Sequence, residues 1–122
     1  MTPSLENLEK YTCQIVLDKF GIKGQLRLKD ASVFIVGAGG LGVPQALYLA
    51  AGGVGKIAIA DADCVSLSNL SRQVLYSKKD IGKNKSLVLS EKLKDLHPES
   101  NIIAYDSYLT EENKNILLQG YD

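Results

Sequence analysis

The stretch Ser32-Val33-Phe34-Ile35-Val36-Gly37-Ala38-Gly39-Gly40-Leu41-Gly42 decides the fold of this chain. The apolar run from Val33 to Val36 is rich in β-branched residues, ends abruptly in glycines and passes into the helix-like Val43 to Ala51, which reads as strand, tight turn, helix. Gly37, Gly39 and Gly42 fit a G-x-G-x-x-G spacing. That spacing serves a tight turn, close backbone approach to a phosphate, and close packing of helix on strand. The N–H groups and positive dipole end of the following helix favour an anion, so a nucleotide is the expected ligand. The glycines alone suit nicotinamide, flavin or adenine nucleotides equally, and also a purely structural turn.

Upstream, Ser4 is placed to cap a helix whose apolar positions Leu5, Leu8, Thr12, Ile15 and Val16 close near Phe20-Gly21, followed by a short amphipathic piece from Gln25 to Lys29. Downstream, Pro44 falls in the first turn of the helix after the glycines, where its missing N–H costs nothing. Gly52-Gly53 ends that helix. Lys56 to Asp61 reads as a second buried strand with Asp61 at its carboxyl end, where an acid holds ribose hydroxyls. Ala62 to Gln73 is polar, lacks periodicity and reads as a site loop. Asp80 to Lys85 is expected to open a helix carrying Leu87, Leu89, Leu93 and Leu96 and ending at His97-Pro98. Asn101 to Tyr108 reads as a third strand, and Thr110 as the cap of a last helix reaching Leu118.

This order predicts an α/β, Rossmann-like, mostly parallel sheet with helices on both faces. Residues 1–30 form an N-terminal helical segment and residues 31–122 the N-terminal part of a nucleotide-binding domain. The alternation stops at Tyr121-Asp122 where another strand is due, so a truncated sheet and a fragment of one domain are expected.

Composition narrows the function. The chain is 45% hydrophobic and 23% charged with 14 acidic and 14 basic side chains, which argues against disorder and against a nucleic-acid partner. Cys13, Cys64 and the single His97 have no neighbours at metal-ligand spacing, so no metal site is expected in this segment. No apolar run approaches the roughly 18 residues of a membrane span, and a cytoplasmic protein with reduced cysteines is expected.

Chemistry concentrates at Asp61 and Asp63 by a strand end, Asn69 and Arg72 in the loop, and Lys83 and Lys85 near a helix start. Lys83 is read as a solvated surface lysine, and a structural Arg72 pairing with Asp61 or Asp63 is the bland alternative. Two cations exceed what the pyrophosphate of a dinucleotide requires but suit a triphosphate, whose departing pyrophosphate needs its growing charge neutralised. ATP is therefore expected.

Gly37-Ala38-Gly39-Gly40-Leu41-Gly42, Asp61-Ala62-Asp63-Cys64-Val65, Ser68-Asn69-Leu70-Ser71-Arg72-Gln73 and Gly82-Lys83-Asn84-Lys85 together resemble the ThiF/MoeB/HesA family, bacterial relatives of ubiquitin-activating E1 enzymes. The resemblance runs from Tyr11 onward. It implies adenylation of the C-terminal carboxylate of a ubiquitin-like sulfur-carrier protein or a peptide, giving an acyl-adenylate and pyrophosphate. It implies a nucleotide site lined by Gly37, Gly39, Gly40, Gly42, Asp61, Asp63, Ser68, Asn69, Arg72, Gln73 and Lys85. Gly40 would lie under the phosphates, Asp61 hold the ribose, Asn69 and Arg72 contact the triphosphate, and Lys85 stabilise developing charge, which makes Arg72 and Lys85 the catalytic pair. A homodimer is implied too. Family members carry Arg-Tyr-x-Arg-Gln near the N-terminus, whose second Arg reaches the partner subunit's site; here Lys10-Tyr11-Thr12-Cys13-Gln14 puts Cys13 in its place. The Mg²⁺-binding Asp, any thioester-forming cysteine and any Cys-x-x-Cys zinc site of relatives would follow Asp122, so the fragment itself is expected to be inactive. Two other readings remain: an NAD-dependent oxidoreductase, suggested by the glycine turn and strand-end acid, and a noncatalytic member that binds nucleotide or partner only.

Overall fold

The computed structural model describes residues 5–122, with side chains from residue 8. The chain runs α1 (Leu5–Lys10), α2 (Thr12–Ile15), α3 (Gly21–Asp30), β1 (Ser32–Val36), α4 (Gly42–Gly52), β2 (Lys56–Ala60), α5 (Lys85–Leu96), β3 (Asn101–Tyr105) and α6 (Lys114–Leu117). The strands form one parallel sheet in the order β1-β2-β3. Register places Ile57 and Ile102 level with Val33, and Ile59 and Ala104 level with Ile35, so these residues share a face. Val43, Ala46 and Ala50 of α4 and Val88, Leu89 and Leu93 of α5 belong to the same buried cluster as Ile35, Ile57, Ile59 and Ile102. Burying each such Ile or Leu side chain stabilises the fold by about 1.5–3 kcal/mol.

Both crossover helices cover that one face, because right-handed connections that step in one direction along a sheet put their helices on the same side. On the other face Phe34 stacks on Tyr105, with ring centroids 5.8 Å apart, and meets Tyr121 edge-on at 5.3 Å. The Lys56 ammonium sits 4.4 Å from the Tyr121 ring centroid, and the Asp122 N–H donates to the Ser32 carbonyl at 3.0 Å.

The expected long N-terminal helix is two short ones interrupted at Tyr11, and its proposed cap, Ser4, lies outside the described residues. Tyr11 is buried, with its ring against Gly53, and its hydroxyl donates to Glu99 at 3.2 Å. Burial, with the Glu99 carboxylate alongside, pushes the Tyr11 phenol up to about 12. Gln14 and Gln25 both donate to the Gly52 carbonyl, at 3.0 and 3.1 Å, and so tie α2 and α3 to the C-terminal end of α4. The helix α3 starts at Gly21 rather than Gln25, the positive φ of 56° at Gly21 supplying the change of direction.

Three further boundaries move. The helix α5 begins at Lys85, because Asp80 instead accepts from the Ser77 N–H (2.8 Å) and hydroxyl (3.0 Å) and closes a 3₁₀ turn over Lys78–Asp80. The strand β3 stops at Tyr105, and Tyr108 turns away to donate to Asp63. Thr110 does exchange cap bonds with Asn113, but they close a turn before α6, which holds only Lys114–Leu117. No helix among the described residues is long and apolar enough to cross a membrane.

Candidate functional site

The glycine turn leaves the carboxyl end of β1, at the same end of the sheet as Asp61. Gly37 adopts a φ of +99°, and a Cβ on Gly42 would stand 2.0 Å from the Gly37 carbonyl oxygen, so α4 starts closer to the turn than any side chain allows. Ala38, between the glycines, is held from both sides. Its N–H donates to Asp61 Oδ2 at 2.8 Å, and its carbonyl accepts from the Tyr76 hydroxyl at 2.7 Å. Asp61 Oδ1 accepts from the Asp63 N–H at 2.9 Å, so both carboxylate oxygens already shape the backbone around the turn.

The start of α5 is fastened to the same frame. The Lys85 N–H donates to the Asp63 carbonyl at 2.9 Å, and the Lys85 carbonyl lies 3.2 Å from the Tyr76 hydroxyl. Tyr76 is buried; desolvation, with the Asp61 and Asp80 carboxylates nearby, raises its phenol so that it stays a neutral donor. The cap of α5 is Asn84, whose Oδ1 accepts from the Leu87 N–H at 3.0 Å.

Lys85 itself is only 6% exposed, and among the described residues no carboxylate pairs with its ammonium. A cation on a largely buried stem, without a counter-charge of its own, suits a ligand that brings the anion. Arg72 lies over the turn: its side-chain carbons are 3.6 and 3.7 Å from where a Cβ on Gly40 would be, while its guanidinium makes one weak bond, to the Ser68 carbonyl at 3.4 Å. Gln73 is 2% exposed, with its amide nitrogen 3.7 Å from the Cβ position of Gly39 and its Oε1 buried without a partner.

The structure thus gathers Gly37, Gly39, Gly40, Gly42, Asp61, Arg72, Gln73 and Lys85 around one turn. The remaining expected residues have local partners. Asn69 Oδ1 accepts from the N–H and hydroxyl of Ser66, both at 3.0 Å, and the Ser68 hydroxyl lies 3.2 Å from that of Ser66. Asp63 is exposed and accepts from the Tyr108 hydroxyl. Lys83 is exposed, in keeping with its reading as a solvated lysine. Arg72 makes no ion pair with Asp61 or Asp63. Sequence reasoning passed over Tyr76 and Asn84. Tyr76 has no local pattern that announces it, whereas Asn84 had one, since Asn immediately before a leucine-periodic run is an N-cap signal.

Fold and site define a Rossmann-like α/β unit in which the glycine turn and the N-terminus of α4 lie beside Arg72 and the start of α5, with neither Arg72 nor Lys85 paired to a carboxylate among the described residues. The chain belongs to the ThiF family, whose model matches residues 11–122. It is 48% identical over 117 residues to the sulfur carrier protein adenylyltransferase of Thermus thermophilus, covering 96% of this chain and 43% of that protein. A probable molybdopterin-synthase adenylyltransferase of Porphyra purpurea is 40% identical over 121 residues, covering 99% and 32%. Among solved structures, E. coli tRNA N6-threonylcarbamoyladenosine dehydratase, TcdA, in complex with ATP superposes with a TM-score of 0.89 at 28% identity, covering 99% of this chain and 49% of that one. E. coli MccB with AMPCPP and MccA gives 0.73 at 34% identity, covering 76% and 27%. The chain spans less than half the length of each of these relatives.

Proposed function

We propose that the chain forms the nucleotide-binding half of an E1-like adenylyltransferase that activates the C-terminal carboxylate of a ubiquitin-like sulfur-carrier protein or peptide. The observation that carries this reading is Lys85, buried along most of its side chain, with no carboxylate paired to its ammonium among the described residues, and fastened by backbone bonds to the corner that shapes the glycine turn. A cation held there without a counter-charge suits a triphosphate. The reading is also supported by relatives named as adenylyltransferases, by the TcdA structure in complex with ATP, and by the MccB structure with AMPCPP and MccA.

In the proposed step a carboxylate oxygen of the partner attacks the α-phosphorus of ATP. The bond from that phosphorus to the bridging oxygen of the β-phosphate breaks, pyrophosphate leaves with the electron pair, and an acyl-adenylate remains. No proton is transferred, so the protein supplies placement and electrostatic stabilisation. Gly40 lets the backbone approach the phosphates, Asp61 takes the ribose with the lone pairs its backbone bonds leave free, and Arg72 and Lys85 neutralise charge passing to the leaving group. Asn69, through its amide nitrogen, together with Asp63, Ser68 and Gln73, completes the wall. Among the described residues no three His, Cys, Asp or Glu side chains converge on a metal position.

We also propose a homodimer. The exposed Leu41, at 80%, and Tyr48 of α4, at 75%, leave apolar surface at the glycine turn and along the helix that follows it, which supports a protein contact there.

The test is exchange of labelled pyrophosphate into ATP by the intact protein. Lys85→Ala and Arg72→Ala are each expected to slow it by about 10²-fold or more, the loss seen when one donor to developing charge is removed. Near wild-type exchange in both folded variants would refute the assignment.

A further inference from the structure

We infer that Asn84 is a positioning residue for Lys85. The assignment rests on the adenylation reading and adds to it a residue acting at one remove from the nucleotide. Both ends of the Asn84 amide are engaged. Its Oδ1 accepts from the Leu87 N–H at 3.0 Å and from the Ser86 hydroxyl at 2.5 Å, which caps α5. Its Nδ2 donates at 2.8 Å to the Asp61 carbonyl and at 2.8 Å to Asp106 Oδ1, with the Asp63 carbonyl at 3.3 Å.

A cap needs only the oxygen, and Ser, Thr or Asp supplies it as well. The amide nitrogen is the surplus, and its acceptors identify what it does. Asp61 directly follows β2 and carries the carboxylate that holds Ala38 in the glycine turn, while Asp106 directly follows β3. One side chain therefore spans the carboxyl ends of two strands and the first turn of the helix that carries Lys85. The Ser86 hydroxyl, whose single proton is shared between Asn84 Oδ1 and the Tyr105 carbonyl 2.9 Å away, lies on the same turn.

The approach to α5 is exposed but bonded through its backbone, the Gly82 N–H donating to the Val65 carbonyl and the Val65 N–H to the Lys83 carbonyl, both at 2.8 Å. Ile81, Gly82 and Lys83 are all exposed, and Gly82 has a φ of +88°. Those backbone bonds and the Lys85 N–H on the Asp63 carbonyl at 2.9 Å remain when the Nδ2 bonds are lost, but the side-chain links to the Asp61 carbonyl and to Asp106 do not, and a small rotation of the first turn about the remaining bonds then moves the Lys85 ammonium. A displacement near 1 Å of a charge-stabilising group is enough to cost about 10²-fold in rate.

The experiment separates capping from positioning. Asn84→Ser keeps an oxygen at the cap but loses the second donor. In the intact protein it is expected to melt within about 3 °C of wild type. Its kcat for partner-dependent pyrophosphate exchange is expected to fall about tenfold, with the KM for ATP changed by less than about threefold. If Asn84 acts through Lys85, the double variant Asn84→Ser/Lys85→Ala is no slower than Lys85→Ala alone. Asp106→Ala, which removes one acceptor and leaves the cap intact, is expected to show a smaller loss with the same lack of additivity, and it serves if Asn84→Ser misfolds. A wild-type kcat in Asn84→Ser, or losses that multiply with those of Lys85→Ala, would overturn the inference and leave the adenylation reading standing. Exchange indifferent to Lys85→Ala would remove Lys85 from the site and this inference with it, whereas absence of partner-dependent exchange in the intact wild-type protein would remove the adenylation reading itself.

Discussion

Replacing Gly42 with alanine should damage this protein more than any other single methyl added to the glycine turn. The new Cβ would lie 2.0 Å from the Gly37 carbonyl oxygen and 2.9 Å from its carbon, both backbone atoms. Gly37 cannot retreat cheaply, because its N–H donates to the Ala60 carbonyl at 2.8 Å and continues the β1-β2 ladder. The helix α4 must back away instead, drawing Val43 and Ala46 off the buried cluster that includes Ile35. Overpacking of this kind costs about 1–3 kcal/mol, and a clash with backbone belongs at the upper end. For an intact protein of a few hundred residues, ~3 kcal/mol corresponds to a fall in Tm of about 6–12 °C. Circular dichroism melts of Gly42→Ala beside Gly40→Ala provide the measurement. Gly40 has room, its nearest neighbours being flexible Arg72 side-chain atoms at 3.6 and 3.7 Å, so Gly40→Ala should melt within about 2 °C of wild type and instead weaken ATP binding by about tenfold or more. Equal melting temperatures for Gly42→Ala and wild type, with unchanged nucleotide affinity, would refute the close approach on which the turn is built.

Asp80 gives a pH-dependent test. Burial opposes ionisation of its carboxyl, but bonds from Lys92 and from the Ser77 N–H and hydroxyl outweigh it and hold the carboxyl at about 2, below the ordinary 3.8. Because the folded value is depressed, the stabilisation is complete above about pH 4 and is lost as pH falls through 2; Asp80→Asn should flatten that part of a stability-versus-pH curve, and an unchanged curve would show the pair to be inconsequential. Tyr76→Phe removes the donor to the buried Ala38 carbonyl and should cost about 1–3 kcal/mol in denaturant unfolding, with wild-type stability counting against the bond.

Much of this fold can be read from local pattern. The apolar runs at β1 and β2, the glycine spacing, Pro44 in the first turn of α4 and Asp61 at a strand end each follow from chemistry within a few residues. What escaped reading depends on distant partners. The break at Tyr11 reflects a ring that packs on Gly53 and a hydroxyl that meets Glu99. Tyr108 leaves the β3 pattern for Asp63. The late start of α5 is a different case, since Ser77-x-x-Asp80 and Asn84 are both cap signals and they compete for the same helix; the structure gives Asp80 to a 3₁₀ turn and Asn84 to α5. In the site, the residue types pointed to an anion receptor, but the burial of Lys85 and the prior engagement of Asn69 Oδ1 and of both Asp61 oxygens needed the tertiary structure.

The central claim is that the site serves adenylation of a carboxylate. Its most direct test is exchange of labelled pyrophosphate into ATP by the intact wild-type protein, with and without a sulfur-carrier protein or peptide ending in a free carboxylate. Label entering ATP only when that partner is present is the result expected. Hydride transfer to NAD without any requirement for ATP, or no exchange with any such partner while nucleotide still binds, would contradict it.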